Sequence, residues 1–161
     1  MTVEVPVPTP EAMRALGEQL AALLRPGDLV VLTGSLGAGK TTLAQGIGTG
    51  LRVRGGVTSP TFVISRVHPS LADGPALVHV DAYRLGGRLE VDDLDLDASI
   101  EDSVTLVEWG EGLVEDLTAD RLMVEISRAE GADADGREER SVRLVGLGDR
   151  WLDVDLAAVA R

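Results

Sequence analysis

The feature that most constrains the fold is a glycine-rich stretch near residue 40. It matches the phosphate-binding pattern of a glycine, four further residues, a glycine, a lysine and a serine or threonine. The apolar run at residues 28–33 predicts a buried strand before it, and Leu43, Ile47 and Leu51 recur after it at helical spacing. Strand, loop and helix in this order are the context that the pattern requires. The residues of the stretch are Gly34, Ser35, Leu36, Gly37, Ala38, Gly39, Lys40 and Thr41.

Each residue type in this stretch has a physical role in binding a triphosphate. Glycines permit backbone angles that let consecutive N–H groups point at one anion, and the next helix adds its own free N–H groups. Lys40 can reach the β- and γ-phosphates, and the Thr41 hydroxyl can ligate Mg²⁺. A chain with 19 glycines could match by chance, but Lys40 is the only lysine among 161 residues. We therefore expect this loop to bind a nucleotide.

Length and composition limit the classes of protein to which the chain can belong. Its 161 residues, 44% of them hydrophobic, predict one globular domain over residues 1–161. The net charge of −12 disfavours a broad surface for DNA or another nucleic acid, so a partner would hold any nucleic acid. Because cysteine is absent, disulfides and thiolate metal sites are excluded. No apolar run reaches the length of a membrane span and no secretory signal is visible, so we expect a cytoplasmic protein.

Periodicity in the rest of the chain predicts an α/β fold. Residues 2–7 alternate as a short strand, and Thr9-Pro10-Glu11 begins a helix with a hydroxyl cap, a proline and an acid. Residues 62–67 and 76–81 predict two strands so close in sequence that they should be antiparallel. We therefore expect a three-layer fold like that of P-loop nucleoside triphosphatases, with a mixed parallel and antiparallel central sheet. Further strands are predicted at residues 103–107, 121–127 and 141–145.

Three other regions carry weaker patterns. Residues 86–103 have short apolar steps among acids, which predict short helices with a solvated acidic face rather than a metal cluster. Residues 131–139 predict a mobile hairpin loop. Residues 149–160 predict a terminal amphipathic helix.

Two acidic residues, Asp81 and Glu108, stand at the ends of predicted buried strands. Hydrolysis of a nucleotide needs Mg²⁺ held from a second side and a water aimed at the γ-phosphate, which strand-end carboxylates commonly supply. Both strand ends can open on the crevice beside the phosphate loop. Either acid alone could simply terminate a strand, but the two together favour a site. His79 should share a face with Asp81, and we expect it to be packed and hydrogen-bonded rather than catalytic.

Four motifs complete the pattern. They are the phosphate loop with Thr41-Thr42, then Ser59-Pro60-Thr61-Phe62, then His79-Val80-Asp81-Ala82-Tyr83-Arg84-Leu85, and finally Glu108-Trp109. In the order and spacing of these motifs the chain resembles the TsaE (YjeE-type) family, whose members are small bacterial ATPases required for threonylcarbamoyladenosine on tRNA. The resemblance extends from about residue 9 to about residue 146, which is nearly the whole chain.

The resemblance implies ATP and Mg²⁺ as cofactors and assigns residues to each. Lys40 and the loop amides would hold the triphosphate, with Thr42 and Trp109 also lining the nucleotide site. Thr41 and Glu108 would ligate Mg²⁺.

The resemblance also implies which residues act in catalysis. Asp81 would orient or activate the attacking water, Thr61 would lie on a switch-like loop that senses the γ-phosphate, and Lys40 would act on the phosphates. Ser35 replaces the aspartate that is common in the family, but that side chain is not a required ligand. We therefore expect nucleotide binding to persist in this chain.

The family implies a partner as well. Its members have weak ATPase activity alone and dock onto the TsaB–TsaD complex, which transfers the threonylcarbamoyl group to tRNA. ATP turnover would reset that complex after each transfer, so contact with tRNA would be indirect.

Three other functions compete with this interpretation. A GTPase usually needs a second lysine for guanine selection, and the single lysine disfavours it. A small-molecule kinase would use Arg66, Arg84 or Arg88 on the transferred phosphoryl group. A nucleotide-gated binding module without useful turnover would use ATP only to select the conformation that meets a partner.

Overall fold

The computed structural model describes residues 2–34, 39–53, 65–71, 74–81, 102–108, 120–128 and 140–160. Within these residues, seven strands form one sheet and two α-helices pack on it. The helices are α1 (Pro10–Ala21) and α2 (Lys40–Leu51), and two short 3₁₀ helices, Asp149–Trp151 and Leu156–Ala160, follow the last strand. The strands are β1 (Thr2–Val7), β2 (Leu29–Thr33), β3 (Ser65–His68), β4 (Ala76–Asp81), β5 (Ser103–Glu108), β6 (Arg121–Arg128) and β7 (Arg140–Leu147).

The sheet has a parallel centre and antiparallel edges. Its strand order is β1-β7-β6-β2-β5-β4-β3. β2 pairs in parallel with both β5 and β6, and β4 pairs in parallel with β5. β7 runs antiparallel to β6 and β1, and β3 runs antiparallel to β4. The predicted α/β fold with a mixed sheet is therefore confirmed, and β2 lies at its centre.

The central strands are buried on both faces, as their unbroken apolar runs predict. Every residue of β5 is buried, and so are the first four residues of β2. On one face, alternate residues of these strands join a core with Leu43 and Ile47 of α2. Because Glu108 follows Leu106 by two positions in β5, it lies on the face that α2 covers. The strand residues of this core include Val30, Leu32, Leu77, Val104 and Leu106.

The two helices cross at close range because glycines stand at their contact. A Cβ atom on Gly17 of α1 would collide with the backbone carbonyl oxygen of Leu43 in α2. A Cβ atom on Gly46 of α2 would collide with the carbonyl oxygen of Arg14 in α1. Backbone atoms inside a helix cannot move aside cheaply, so this crossing requires a residue without a side chain at both positions. The contact seats α2, and with it the end of the phosphate loop, against α1.

A buried carboxylate fastens the amino end of β2 to the C-terminal segment. Asp28 is 5% exposed and accepts hydrogen bonds from Nε and Nη2 of Arg150, each at 3.0 Å. Its Oδ2 also accepts the backbone N–H of Arg25 at 2.7 Å. Nη2 of Arg150 donates further to the carbonyl oxygen of Leu23 at 2.7 Å, and the guanidinium lies 4.5 Å from the ring centroid of Trp151. This paired fork geometry is the strong form of an arginine–carboxylate contact.

The single terminal helix predicted for residues 149–160 is wrong. The segment forms the two 3₁₀ helices instead, and a short irregular stretch separates them. The carboxylate of Asp155 accepts the backbone N–H of Ala157 at 3.1 Å, which begins a new turn and competes with continuation of a helix. The apolar spacing still has a purpose, because Trp151 and Leu156 are fully buried in the core.

The other elements follow their predicted positions with small shifts at the ends. The antiparallel pairing of β3 with β4 is confirmed, although β3 begins at Ser65 and residues 62–64 lie outside the described residues. Most of the short helices predicted at 86–103 and the loop predicted at 131–139 also lie outside them. In the part of the chain that the structure describes, no helix is long and apolar enough to cross a membrane.

Candidate functional site

The predicted phosphate loop lies at the carboxyl end of the central strand. β2 ends at Thr33, the described backbone continues through Gly34, and Gly39 precedes the first residue of α2. Because β5 and β6 run parallel to β2 on either side, three carboxyl ends meet at this edge. Ligands of open α/β sheets bind in the crevice outside such ends. The middle of the loop lies outside the described residues, namely Ser35, Leu36, Gly37 and Ala38.

The start of α2 differs from the start of α1 in its capping. Thr9 caps α1, because its Oγ1 accepts the backbone N–H of Ala12 at 3.0 Å. α2 begins after Gly39, and no side chain of the described residues caps it. Gly39 has φ of 111°, a left-handed conformation that side chains rarely adopt. The uncapped N–H groups and the helix dipole favour an anion here, and Thr41 and Thr42 are half-buried in the same turn.

The single lysine of the sequence, Lys40, contacts the beginning of the predicted phosphate loop. Lys40 is 7% exposed, and its Nζ donates a hydrogen bond to the carbonyl oxygen of Gly34 at 2.7 Å. This bond joins the first and last parts of the predicted phosphate loop. An ammonium group so largely removed from water is stabilised by acceptors and anions around it. The Lys40 side chain therefore lies against the first residue of the predicted phosphate loop.

The two predicted strand-end carboxylates belong to neighbouring residues of adjacent strands. Asp81 of β4 pairs with Glu108 of β5, and Glu108 pairs with Leu32 of β2. Leu32 precedes Gly34 by two residues, so Glu108 lies beside the last residues of β2 before the predicted phosphate loop. Glu108 is only 3% exposed, and for Asp81 the structure describes the backbone alone. The predicted convergence of the two strand ends is thus present in the backbone pairing.

Glu108 has a buried hydrogen-bond partner that the sequence did not identify. Nε2 of His79 lies 3.0 Å from Oε2 of Glu108, and both side chains are almost fully buried. The prediction of a packed, hydrogen-bonded His79 is confirmed. Its partner could not be read from the sequence, because it depends on β4 and β5 being adjacent in the sheet.

A second unpredicted contact lies at the start of α2. A Cβ atom on Gly39 would lie 3.2 Å from Cε of Met13 in α1 and 3.9 Å from Cδ of Arg140 in β7. Met13 is 1% exposed, so its side chain fills the space between α1 and the end of the loop. No local pattern marks either residue, because they come from opposite ends of the chain.

Two other predicted site residues lie outside the described residues. They are Thr61 and Trp109, and their assignments stay predictions.

A sequence match shows the family to which the chain belongs. The sequence model of the family described as "Threonylcarbamoyl adenosine biosynthesis protein TsaE" matches residues 7–139. The chain belongs to the TsaE family. The matched range contains the predicted phosphate loop, Asp81 and Glu108.

Individual TsaE relatives and a solved structure agree with this membership. A protein from Streptomyces coelicolor named "tRNA threonylcarbamoyladenosine biosynthesis protein TsaE" is 65% identical over 149 residues, which cover 92% of this chain and 99% of the relative. A protein of the same name from Bacillus subtilis is 38% identical over 144 residues, covering 88% and 84%. The crystal structure of YdiB from Bacillus subtilis superposes with a TM-score of 0.73 at 32% identity, covering 94% of this chain and 89% of YdiB.

Proposed function

We propose that this TsaE protein binds Mg²⁺-ATP at the carboxyl edge of its sheet and hydrolyses it slowly, in the cytoplasm, in support of threonylcarbamoyladenosine formation on tRNA. The observation that carries the proposal is the pairing of Glu108 with Leu32, two residues before the phosphate loop. It brings a strand-end carboxylate and a lysine-bearing loop to the same end of adjacent parallel strands. The relatives from Streptomyces coelicolor and Bacillus subtilis carry this tRNA modification in their names.

The oxygen donors at this edge suit Mg²⁺. This ion keeps several waters and is usually bound by one or two protein oxygens together with the phosphates of the nucleotide. Glu108 and the hydroxyl of Thr41 would supply those oxygens. The described residues contain no group of three or more His, Cys, Asp or Glu side chains that could form a complete protein cage for a metal. When bound, Mg²⁺ would neutralise charge that develops on the β- and γ-phosphates.

The remaining roles follow from position and from the family pattern. Lys40 and the amides of residues 34–40 would hold the triphosphate, with Thr42 and Trp109 beside it. Asp81 pairs with Glu108 in the sheet, so it lies at the same carboxyl edge as the proposed metal ligand. From this edge Asp81 would orient the attacking water. Thr61 would sense the γ-phosphate from its loop.

We further propose that turnover is coupled to a partner. The TsaB–TsaD complex would bind the tRNA and carry out the transfer, and ATP hydrolysis by this chain would reset the complex. A net charge of −12 is consistent with contact to tRNA through a partner rather than directly.

Nucleotide binding is tested first with a fluorescent ATP analogue and Mg²⁺. Lys40→Ala should reduce affinity at least 100-fold, because the chain has no second lysine to replace it. Arg14→Ala is the matched control, since it removes an exposed basic side chain from α1, and its affinity should equal that of the wild type. An unchanged affinity in Lys40→Ala would remove the loop from nucleotide binding.

Partner coupling is tested by phosphate release from Mg²⁺-ATP, alone and with a TsaB–TsaD pair. A low rate that the pair raises, and that Glu108→Ala abolishes, supports a partner-coupled ATPase. A rate indifferent to the pair would instead favour a small-molecule kinase. Tight ATP binding with no release in either condition would favour a nucleotide-gated binding module.

A further inference from the structure

The His79–Glu108 contact places a hydrogen-bond donor behind the proposed metal ligand. Along the parallel strands, His79 pairs with Leu106 and Asp81 pairs with Glu108. His79 therefore lies two residues closer to the amino ends of the strands than Glu108, on the same face. Its bond to Glu108 approaches from the interior of the protein, whereas the predicted phosphates lie beyond the carboxyl edge.

The direction of this hydrogen bond follows from the chemistry of the two groups. A carboxylate that ligates Mg²⁺ has only acceptor sites, so in the proposed site Nε2 of His79 carries the hydrogen. His79 is 0% exposed, and its Nδ1 has no hydrogen-bond partner within the described residues. The Nε2–H form leaves Nδ1 without a hydrogen. The ring then needs only the one bond to Glu108 to satisfy its donor.

This single bond leaves Glu108 able to ligate a metal. A carboxylate offers about four lone-pair sites, and one N–H donor occupies one of them. The other oxygen stays available. At the same time the bond removes rotational freedom from a side chain whose position decides where a metal can bind.

We propose that His79 is a positioning residue for Mg²⁺: it donates Nε2–H to Oε2 of Glu108 and fixes the carboxylate in the orientation that ligates the ion. This inference rests on the proposed Mg²⁺-ATP site. Hydrogen bonds of this kind orient metal ligands, and their loss typically lowers metal affinity about 10–100-fold.

The test measures how the affinity for a fluorescent ATP analogue depends on Mg²⁺ concentration. His79→Leu removes the donor at similar volume, and His79→Gln retains an N–H donor. Mg²⁺ should increase the affinity for the analogue. We expect His79→Leu to raise the Mg²⁺ concentration that gives half of this increase at least 10-fold. His79→Gln should lie closer to the wild type than to His79→Leu. Affinity for the analogue in EDTA should be the same in all three proteins.

Two comparisons separate positioning from general structural damage. His68→Leu makes the same substitution in the other buried histidine, and it should leave the Mg²⁺ dependence unchanged. Adding His79→Leu to a Glu108→Gln protein should have no further effect on Mg²⁺ dependence, because the two residues act as a unit. Independent, additive effects of the two substitutions would overturn the proposal, and so would a wild-type Mg²⁺ dependence in His79→Leu.

Failure of the proposed function would look different. In that case the wild-type protein itself would show no Mg²⁺-dependent nucleotide affinity.

Imidazole ¹⁵N NMR of the wild-type protein provides a measurement that does not depend on whether the His79 variants fold. The chain has two histidines, so His68→Leu assigns the His79 signals. We expect the hydrogen on Nε2 of His79, and a change in that signal when Mg²⁺ and a non-hydrolysable ATP analogue are added. A hydrogen on Nδ1 with a bare Nε2 would overturn the proposal.

Discussion

Two buried carboxylates mark opposite ends of neighbouring strands, and their surroundings differ. Asp28 precedes β2 at the amino end of the sheet, and Glu108 ends β5 at the carboxyl end. They are 5% and 3% exposed, respectively. Asp28 accepts two hydrogen bonds from the guanidinium of Arg150 and one from a backbone amide. The described contact of the Glu108 side chain is the one with a histidine ring.

The difference shows that two similarly buried carboxylates can have different numbers of hydrogen-bond donors. A carboxylate that is matched by a guanidinium fork has its charge and most of its lone pairs satisfied, so it stabilises the fold. A carboxylate that is held by one donor keeps sites for a metal while its direction is fixed. Glu108 and Asp28 therefore differ in how many carboxylate lone pairs remain without a described hydrogen bond, and hardly in their degree of burial.

The largest expected effect is the loss of stability when the ion pair between Asp28 and Arg150 is broken. Arg150→Ala leaves Asp28 buried without its cation, and removal of one partner from a buried ion pair costs about 3 kcal/mol or more. We expect a loss of about 3 kcal/mol in the free energy of unfolding, measured by urea denaturation. The affinity of the folded protein for Mg²⁺-ATP should not change.

The chain offers a matched control for this loss. Arg143 lies 3.9 Å from Glu125, with side chains 53% and 45% exposed, so solvent screens that pair. Arg143→Ala should change the free energy of unfolding by less than about 0.5 kcal/mol. Equal losses of unfolding free energy in the two arginine variants would show that the contact of Arg150 with Asp28 stabilises the fold no more than an exposed ion pair does.

Glu108→Gln should have the opposite profile to Arg150→Ala. The amide oxygen of glutamine can still accept the hydrogen bond from His79, so the free energy of unfolding should change by less than about 1 kcal/mol. The Mg²⁺ dependence of nucleotide binding should weaken strongly, because an uncharged amide is a poor Mg²⁺ ligand. Urea denaturation and nucleotide titration on the same sample measure both. A large loss of stability with intact Mg²⁺ dependence would make Glu108 structural, like Asp28.

The smallest expected change in stability is for a substitution at Thr105, in the same strand as Glu108. It is fully buried, and its hydroxyl has no hydrogen-bond partner in the described parts of the chain. Thr105→Val removes a hydroxyl that is costly to bury, so thermal unfolding should show stability unchanged or raised by up to about 1 kcal/mol. A clear loss of stability would mean that this hydroxyl is satisfied in the folded protein.

The sequence predicted those parts of the fold that depend on local pattern. The cap at Thr9, the apolar run of β2 and the helix after the phosphate loop were all confirmed, because each follows from residues close together in the chain. The terminal segment was predicted wrongly, because helical spacing of apolar residues does not distinguish one α-helix from two separate 3₁₀ turns. Tertiary contacts of Trp151 and the local bond of Asp155 decide its backbone.

The candidate site was predictable only in part for the same reason. The loop, Lys40 and the two strand-end acids carry their signals in short motifs. The bond between His79 and Glu108 and the contact of Met13 and Arg140 with Gly39 depend on strand order and helix placement. No spacing in a single sequence specifies which strands are neighbours.

The pairing of β1 with β7 has a consequence for synthesis of the protein. β1 is an edge strand of the described sheet, and its ladder partner β7 is the last of the seven described strands in chain order. The buried Val5 and Val7 of β1 therefore cannot reach their final packing until β7 has been synthesised. Contacts between distant parts of a sequence slow folding and prolong the exposure of apolar segments. This edge of the sheet can form only after β7 has been synthesised, and a premature stop within β7 would leave β1 without its only neighbour in the described sheet.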